Sequence, residues 1–310
     1  MNIKRNYKYE KIRNKILVAI LRSLLIIGLS FIILFPIIKA VIASITSYDY
    51  LGVANSQWIP WKTSGEAYVI ANKMLKYPTA IWRTLIYALV IMVIQVTIAA
   101  IAGYRLHIMK FKGSKLFFIP VLITIIIPAP IIALPQYIFL HSIKIFGKDG
   151  LVGKEIAIYI IAIFGQGIKQ GLFIYLFRQF YKGLPKELTE AATMDGCSFL
   201  GTFIKIILPN SKTIIITVCV FSFIWNYGDT FYTGYFARNA NLLPNNLSNI
   251  NLNTAQIAFN DLKGIPNMNR YYLPSITGAA NILFIAPVLL LYFIIQKSCV
   301  QNFENSGIVG

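Results

Sequence analysis

The chain has 310 residues, of which 57% are hydrophobic and only 13% charged, with a formal net charge of +18 and a mean hydropathy of +0.65. Soluble domains carry about a quarter charged residues, so this composition argues against an ordinary soluble domain and for a polytopic membrane protein. The positive charge does not point to nucleic acid, because the 29 Lys and Arg cluster beside apolar runs, where the positive-inside rule places them.

In chain order, the stretch MNIKRNYKYEKIRNKILVAILR carries seven basic residues against the single acid Glu10. Residues 1–15 read as a basic arm and 16–310 as the membrane domain. The apolar run Ile16–Ala43 is about twice the length of a secretory signal core, so it reads as a retained first helix. Five further apolar segments follow near Ala80–Leu106, Lys115–Leu140, Glu155–Phe177, Thr213–Phe236 and Tyr272–Gln296. Each approaches or exceeds the roughly 20 residues that cross the hydrocarbon. The expected fold is therefore an all-α polytopic membrane protein with six transmembrane helices. With the N-terminus inside, the inner segments hold 17 basic residues and the outer ones ten, which favours both termini inside.

Two outer segments, 45–78 and 237–271, are long, polar and rich in Asn, Trp and Tyr. They read as surface elements facing an external partner, or as a structural flap. Cys197, Cys219 and Cys299 are scattered, no CxxC occurs, and His107 and His141 are the only histidines. This pattern offers no metal set and no disulfide framework.

Between the fourth and fifth spans lies an inner segment of about 178–212, longer than a connection needs. Pro185 suits the first turn of a helix. Glu187 and Glu190 fall where the helix dipole favours acids. Leu188, Ala191, Ala192 and Asp195 share a face at helical spacing, small enough in its middle for a partner's backbone to approach. Gly196 ends the helix as a left-handed cap residue would. A second run, Ser198 to Leu208, leads to Pro209 and back to the membrane. A helix lying on the membrane surface is the alternative, but an Ala–Ala face is weakly apolar and the acids would be repelled by an anionic leaflet.

The fourth span contains GQGIKQG, with Lys169 and Gln170 at membrane depth. An ionisable group there marks a functional site by default, although a lysine also snorkels. Trp225, Asn226, Tyr227 and Asp229 could line a translocation path, with the aromatics alternatively serving as interface anchors.

The inner segment resembles the signature loop of bacterial ABC importer permeases, Glu-Ala-Ala, three residues, Gly, nine residues, Ile, one residue, Leu-Pro. Glu190, Ala191, Ala192, Gly196, Ile206, Leu208 and Pro209 match it at all seven positions. Further residues resemble the maltose-type carbohydrate permease branch: the turn with Tyr104, Phe111 and Gly113, the third-span prolines Pro128 and Pro135, and Leu184-Pro185. Asp195-Gly196, Trp225-Asn226 and the tail glycines Gly307 and Gly310 complete the likeness. Arg83-Thr84 departs from a usual Asn-Ser, Asn302 from a glycine and Val309 from a lysine.

The resemblance implies a cytoplasmic coupling helix between the fourth and fifth spans, seated in a groove of a separate ATPase subunit, with Glu190 as its charged anchor and Gly196 supplying backbone geometry. The Glu190, Ala191, Ala192, Asp195, Gly196, Ile206, Leu208 and Pro209 set would couple to the ATPase. The chain has no G-x-x-x-x-G-K-[ST], so it would bind no nucleotide in the usual way, and ATP would be used by the partner. The other implied partners are a second permease, an extracytoplasmic solute-binding protein and membrane lipid, in the bacterial cell membrane. No cofactor or metal is expected on this chain. A permease for a non-sugar solute is the nearest alternative. An ion-coupled secondary transporter would want carboxylates inside spans, where the six spans hold almost none, Asp229 and Glu155 lying near ends; a membrane enzyme would want clustered His, Asp, Glu or Cys, a pattern the sequence lacks.

Overall fold

The computed structural model describes residues 2–52, 58–108, 113, 116–143, 150–185, 187–264 and 268–306, with backbone alone for 2–12, 193, 295 and 297–306. Phe111 of the turn and Gly307, Val309 and Gly310 of the tail lie outside the described residues. Among the described residues the regular elements are helical, apart from one isolated β-bridge between Thr46 and Thr63.

The helices are α1 (Asn2–Ile45), α2 (Glu66–Leu75), α3 (Tyr77–Ile108), α4 (Ile119–Ile126), α5 (Ala129–Ser142), α6 (Ile156–Ile163), α7 (Gln170–Lys182), α8 (Glu187–Met194), α9 (Phe199–Thr202), α10 (Leu208–Asn210), α11 (Lys212–Tyr227), α12 (Phe231–Phe236), α13 (Leu243–Ser248), α14 (Leu252–Lys263) and α15 (Leu273–Ser306). The chain divides into two compact units, one of residues 1–73 and 251–283, the other of 74–250 and 284–310.

Among the described residues, segments spanning Arg13–Ile45, Tyr77–Ile108 and Arg270–Ile294 are each long and apolar enough to cross a membrane; the number is five if each of two bent pairs, α4 with α5 and the Phe199–Asn210 stretch with α11, counts as one span. The first helix begins at Asn2, so the basic arm is helical; the arm contains no Gly or Pro that would break a helix. The third expected span bends by 107°. Ile127 is extended, with ψ 128°, because Pro128 disfavours the helical conformation in the residue before it. The fourth expected span is two shorter helices, α6 and α7, separated at residues 164–169. The fifth ends at Tyr227 rather than Phe236, with α12 a separate helix.

In the first unit, α1 hands over to the polar segment through Ser47 N donating to Lys62 O at 2.9 Å and Ser64 N to Ile45 O at 2.8 Å. Tyr48, Phe259 and Tyr272 pack their rings at 5.0–5.4 Å. Asn251 and Thr254 form a reciprocal capping box at the start of α14, which Gly264 closes at φ +67°. Exposed ion pairs join α14 to α2: Lys73–Asp261 at 3.1 Å, and Lys263–Glu66. Side chains about half exposed gain little from such pairing. Lys73→Ala is therefore expected to change stability by less than about 1 kcal/mol, measured by thermal unfolding in detergent; a larger loss would mean the pair does more than tether a surface.

In the second unit, α3 is the central element and packs against α6, α7 and α11. Its core contains Ala99, Ala100, Tyr104, Phe173, Ile174, Phe177, Tyr181, Phe203, Ile207 and Val218. Gly103 permits the close approach of α7, since a Cβ there would lie 2.8 Å from Phe177 Cβ and 3.0 Å from Arg178 N. Small residues at helix interfaces serve this purpose in membranes, where van der Waals packing replaces the hydrophobic drive.

Candidate functional site

Two neighbouring constructions in the second unit hold the residues singled out from the sequence. One is the segment 187–211 between α7 and α11. In α8, Ala192 turns inward at 1% exposure. Glu187, Glu190, Ala191 and Met194, at i, i+3, i+4 and i+7, are exposed, Met194 at 84%. The expected contact face of Leu188, Ala191, Ala192 and Asp195 is thus divided: Ala192 packs against its own chain, and the free face is rotated toward the two glutamates. The reason is tertiary, because one side of so short a helix must bury something and Ala192 is the residue presented to the body.

The end of α8 is sharply defined. Asp195 N donates to Ala191 O and Cys197 N to Ala192 O, both at 3.0 Å. Gly196 sits at φ +74°, and among the described residues nothing lies within 4 Å of where a Cβ would stand. This is the six-to-one bond of a Schellman ending, which needs a left-handed residue. Backbone geometry alone therefore explains the glycine: the space is open, the dihedral is not. Ser198 then caps α9, accepting from Gly201 N at 3.2 Å.

A single π turn, Phe203–Ile207, follows, and then α10 with Pro209 in its first turn. Ser211 Oγ donates to Ile207 O at 2.6 Å, and the chain bends by 82° into α11. Ile206 and Leu208 are half-buried and Pro209 is exposed. The segment is fastened to the spans by aromatic rings. Tyr104, near the end of α3, stacks on Phe199 and Phe203 at 5.3 and 5.4 Å and meets Tyr181 of α7 edge-on at 5.7 Å. The Arg105 guanidinium lies 5.6 Å from the Phe199 ring.

The second construction surrounds the break between α6 and α7. Gly165 at φ +73° and Lys169 at φ +56° both take left-handed backbone. For lysine this costs about 1–2 kcal/mol. Non-helical backbone at membrane depth survives only where its polar groups are satisfied within the protein. Gln95, in the middle of α3 and fully buried, does this. Its Nε2 donates to Ile168 O at 2.9 Å, while its Oε1 accepts from Ser222 Oγ at 2.6 Å and Asn226 Nδ2 at 2.7 Å on α11. Gln170 Nε2 donates to Gln95 O at 3.0 Å. Gly167 leaves room for this carboxamide, since a Cβ there would collide with the Gln95 side chain. Gln95 therefore ties α3, α7 and α11 to the break.

Of the expected path residues, Gln170 and Asn226 join this network. Trp225 stacks on Phe173 at 5.6 Å and on Phe221 at 5.5 Å. Tyr227 is buried, with its hydroxyl donating to Phe284 O at 2.8 Å. Asp229 Oδ2 accepts from Thr233 N at 2.9 Å at the start of α12. Lys169 alone of these six is exposed. Gln95 and Ser222 were not singled out from the sequence; a lone amide in the apolar run VIMVIQVTIAA was the signal that could have found them. Among the described residues no group of three His, Cys, Asp or Glu side chains could hold a metal ion.

The second unit is thus a bundle of apolar helices with a capped short helix between two bent segments. The chain belongs to the family of binding-protein-dependent transport system inner membrane components, whose model matches residues 95–304. It is 26% identical to an arabinooligosaccharides transport system permease protein of Halalkalibacterium halodurans over 94% of this chain and 98% of the relative. It is 27% identical to a maltodextrin transport system permease protein of Bacillus subtilis over 98% of this chain and all of the relative. Among solved structures, a chain from a bacterial ABC transporter involved in the import of the acidic polysaccharide alginate shares the fold, with a TM-score of 0.68 at 19% identity, covering 92% of this chain and 97% of the other.

Proposed function

We propose that this chain is a permease subunit of an ATP-driven ABC importer and forms half of the translocation path for a carbohydrate delivered by an extracytoplasmic binding protein. The observation that carries the reading is the exposed face of α8, Glu187, Glu190, Ala191 and Met194, closed by the left-handed Gly196. It is an acid-bearing knob with a flexible apolar tip, followed by α9 and the π turn, whose Phe199 and Phe203 meet the Tyr104 ring of α3. Permease relatives for arabinooligosaccharides and maltodextrin, alignable over nearly the whole chain, support the carbohydrate.

In this reading α8 is the coupling helix and docks in a groove of an ATPase subunit, which hydrolyses ATP. Movement of the ATPase pulls α8, and the ring cluster passes the displacement to the spans as a rigid-body shift. Glu190, Ala191, Asp195 and Gly196 shape the contact; Ala192, Ile206, Leu208 and Pro209 hold α8 and its return to the membrane in place. The six spans are α1, α3, α4 with α5, α6 with α7, α11 and α15, with both termini cytoplasmic. None of the most apolar window of α1 is buried within this chain, so lipid and a second permease cover it.

Pull-down of the tagged chain in mild detergent tests this. The wild type is expected to bring down an ATPase and a second permease. A Glu190→Lys, Gly196→Asp variant is expected to keep the second permease and lose at least nine-tenths of the ATPase. A chain that purifies alone in both forms and transports without ATP would overturn the proposal.

A further inference from the structure

Beside the break between α6 and α7 lies a hollow of about 110 Å³, lined by Thr124, Gln166, Lys169, Gln170 and Tyr232 together with apolar and glycine residues. No acidic residue lines it. Lys169 is exposed and, among the described residues, forms no ion pair. The carboxylates on adjoining segments of the same unit are engaged: Glu155 pairs with Arg83 at 3.0 Å, and Asp229 accepts from Thr233 N. Gln170, 2% exposed, begins the 13-residue helix α7, and its Oε1 is buried with no hydrogen-bond partner.

These features have one polarity. The Lys169 ammonium carries three donors and no acceptor. The start of α7 adds the positive end of a helix dipole. A cation in the middle of a membrane protein is retained where it pairs with something or faces an aqueous cavity on a substrate pathway. Here the protein supplies no counter-charge among its described residues. The unpartnered Gln170 oxygen, by contrast, calls for a donor such as a hydroxyl. A neutral sugar would satisfy the glutamine and leave the lysine alone. A sugar carrying an acid group would satisfy both.

We infer that the hollow at Lys169 and Gln170 is a transit site for an anionic sugar, Lys169 pairing with a carboxylate or phosphate and Gln170 Oε1 accepting from a neighbouring hydroxyl. This inference rests on the permease reading and narrows its substrate class. The left-handed backbone at residue 169 is consistent with it, because a glycine would fit that dihedral with less strain but would place no charge there.

The test uses the complete importer, with its binding protein, in proteoliposomes, and solute pairs that differ in charge: a galacturonate trisaccharide against a galactose trisaccharide, and glycerol 3-phosphate against glycerol. The wild type is expected to take up an acidic member in preference to its neutral twin; the uronate arm reports a carboxylate, the glycerol 3-phosphate arm a phosphate. Lys169→Gln is expected to lower that uptake at least tenfold, and Lys169→Arg to keep more than half of it. ATP hydrolysis by the assembly is measured alongside and is expected to persist in both variants. Preference for a neutral member, or equal loss of neutral and acidic uptake in Lys169→Gln, would overturn the anion site while leaving the permease reading intact. An assembly that transports without consuming ATP would overturn the permease reading itself.

Discussion

Gln95→Leu is expected to destabilise the purified chain by about 2–3 kcal/mol and to abolish transport. Hydrogen bonds between membrane helices average only about 0.6 kcal/mol each, so a single one would not justify that figure. The Gln95 side chain makes three at 2.6–2.9 Å, and one of them satisfies the carbonyl of Ile168 in the non-helical break. Leucine would leave that carbonyl, and part of the bonding of Ser222 and Asn226, without a partner in a buried place. An orphaned buried polar group costs about 1–3 kcal/mol. The geometry of the break depends on the same bond, so its loss moves Lys169 and Gln170 as well.

The check is thermal unfolding of the detergent-purified protein, followed by size-exclusion, together with a double-mutant cycle. Adding Asn226→Leu to Gln95→Leu removes an unsatisfied group instead of making another, so the double variant is expected to cost less than the sum of the singles. Strict additivity, or wild-type stability in Gln95→Leu, would show that the network does not hold these spans together.

On the proposed coupling through α8, Tyr104→Ala is expected to lower uptake at least tenfold while the ATPase subunit still binds. Tyr104 is 3% exposed and its ring touches Phe199, Phe203 and Tyr181, which lie on the inner segment and on α7. Truncating a buried large aromatic costs about 3–5 kcal/mol in a soluble core. The exposed face of α8 is untouched, since none of its four residues belongs to the ring cluster around Tyr104. Tyr104→Phe keeps the ring and is expected to retain most of the uptake. The ratio of solute taken up to ATP hydrolysed, measured in proteoliposomes, separates uncoupling from misassembly. A variant that loses both ATPase binding and uptake would place the role of Tyr104 in folding alone.

Much of the plan is legible in the residues alone. A helix crosses hydrocarbon only if it is long and apolar, so α1, α3 and α15 announce themselves by length and composition. The ending of α8 is legible for a different reason: a helix stop is local, and Gly196 is the residue that takes a left-handed dihedral at no steric cost. The bend at Pro128 is local too, since a proline restricts the residue before it. By contrast, the fourth span reads as continuous because hydropathy averages over the glycines of GQGIKQG and does not register a break that lasts only a few residues.

The apolar spans, the inner helix with its acids and its glycine stop, and the family itself follow from residues adjacent in the chain, because membrane partition and helix capping are decided within a few turns. The side of α8 left free, the fixing of Tyr104 against Phe199 and Phe203, and the meeting of Gln95 with Ser222 and Asn226, 127 and 131 residues away, were decided only when the helices packed. A polar side chain in an apolar run declares that it needs a partner; which partner it finds depends on helix rotation and depth, and no local pattern encodes either.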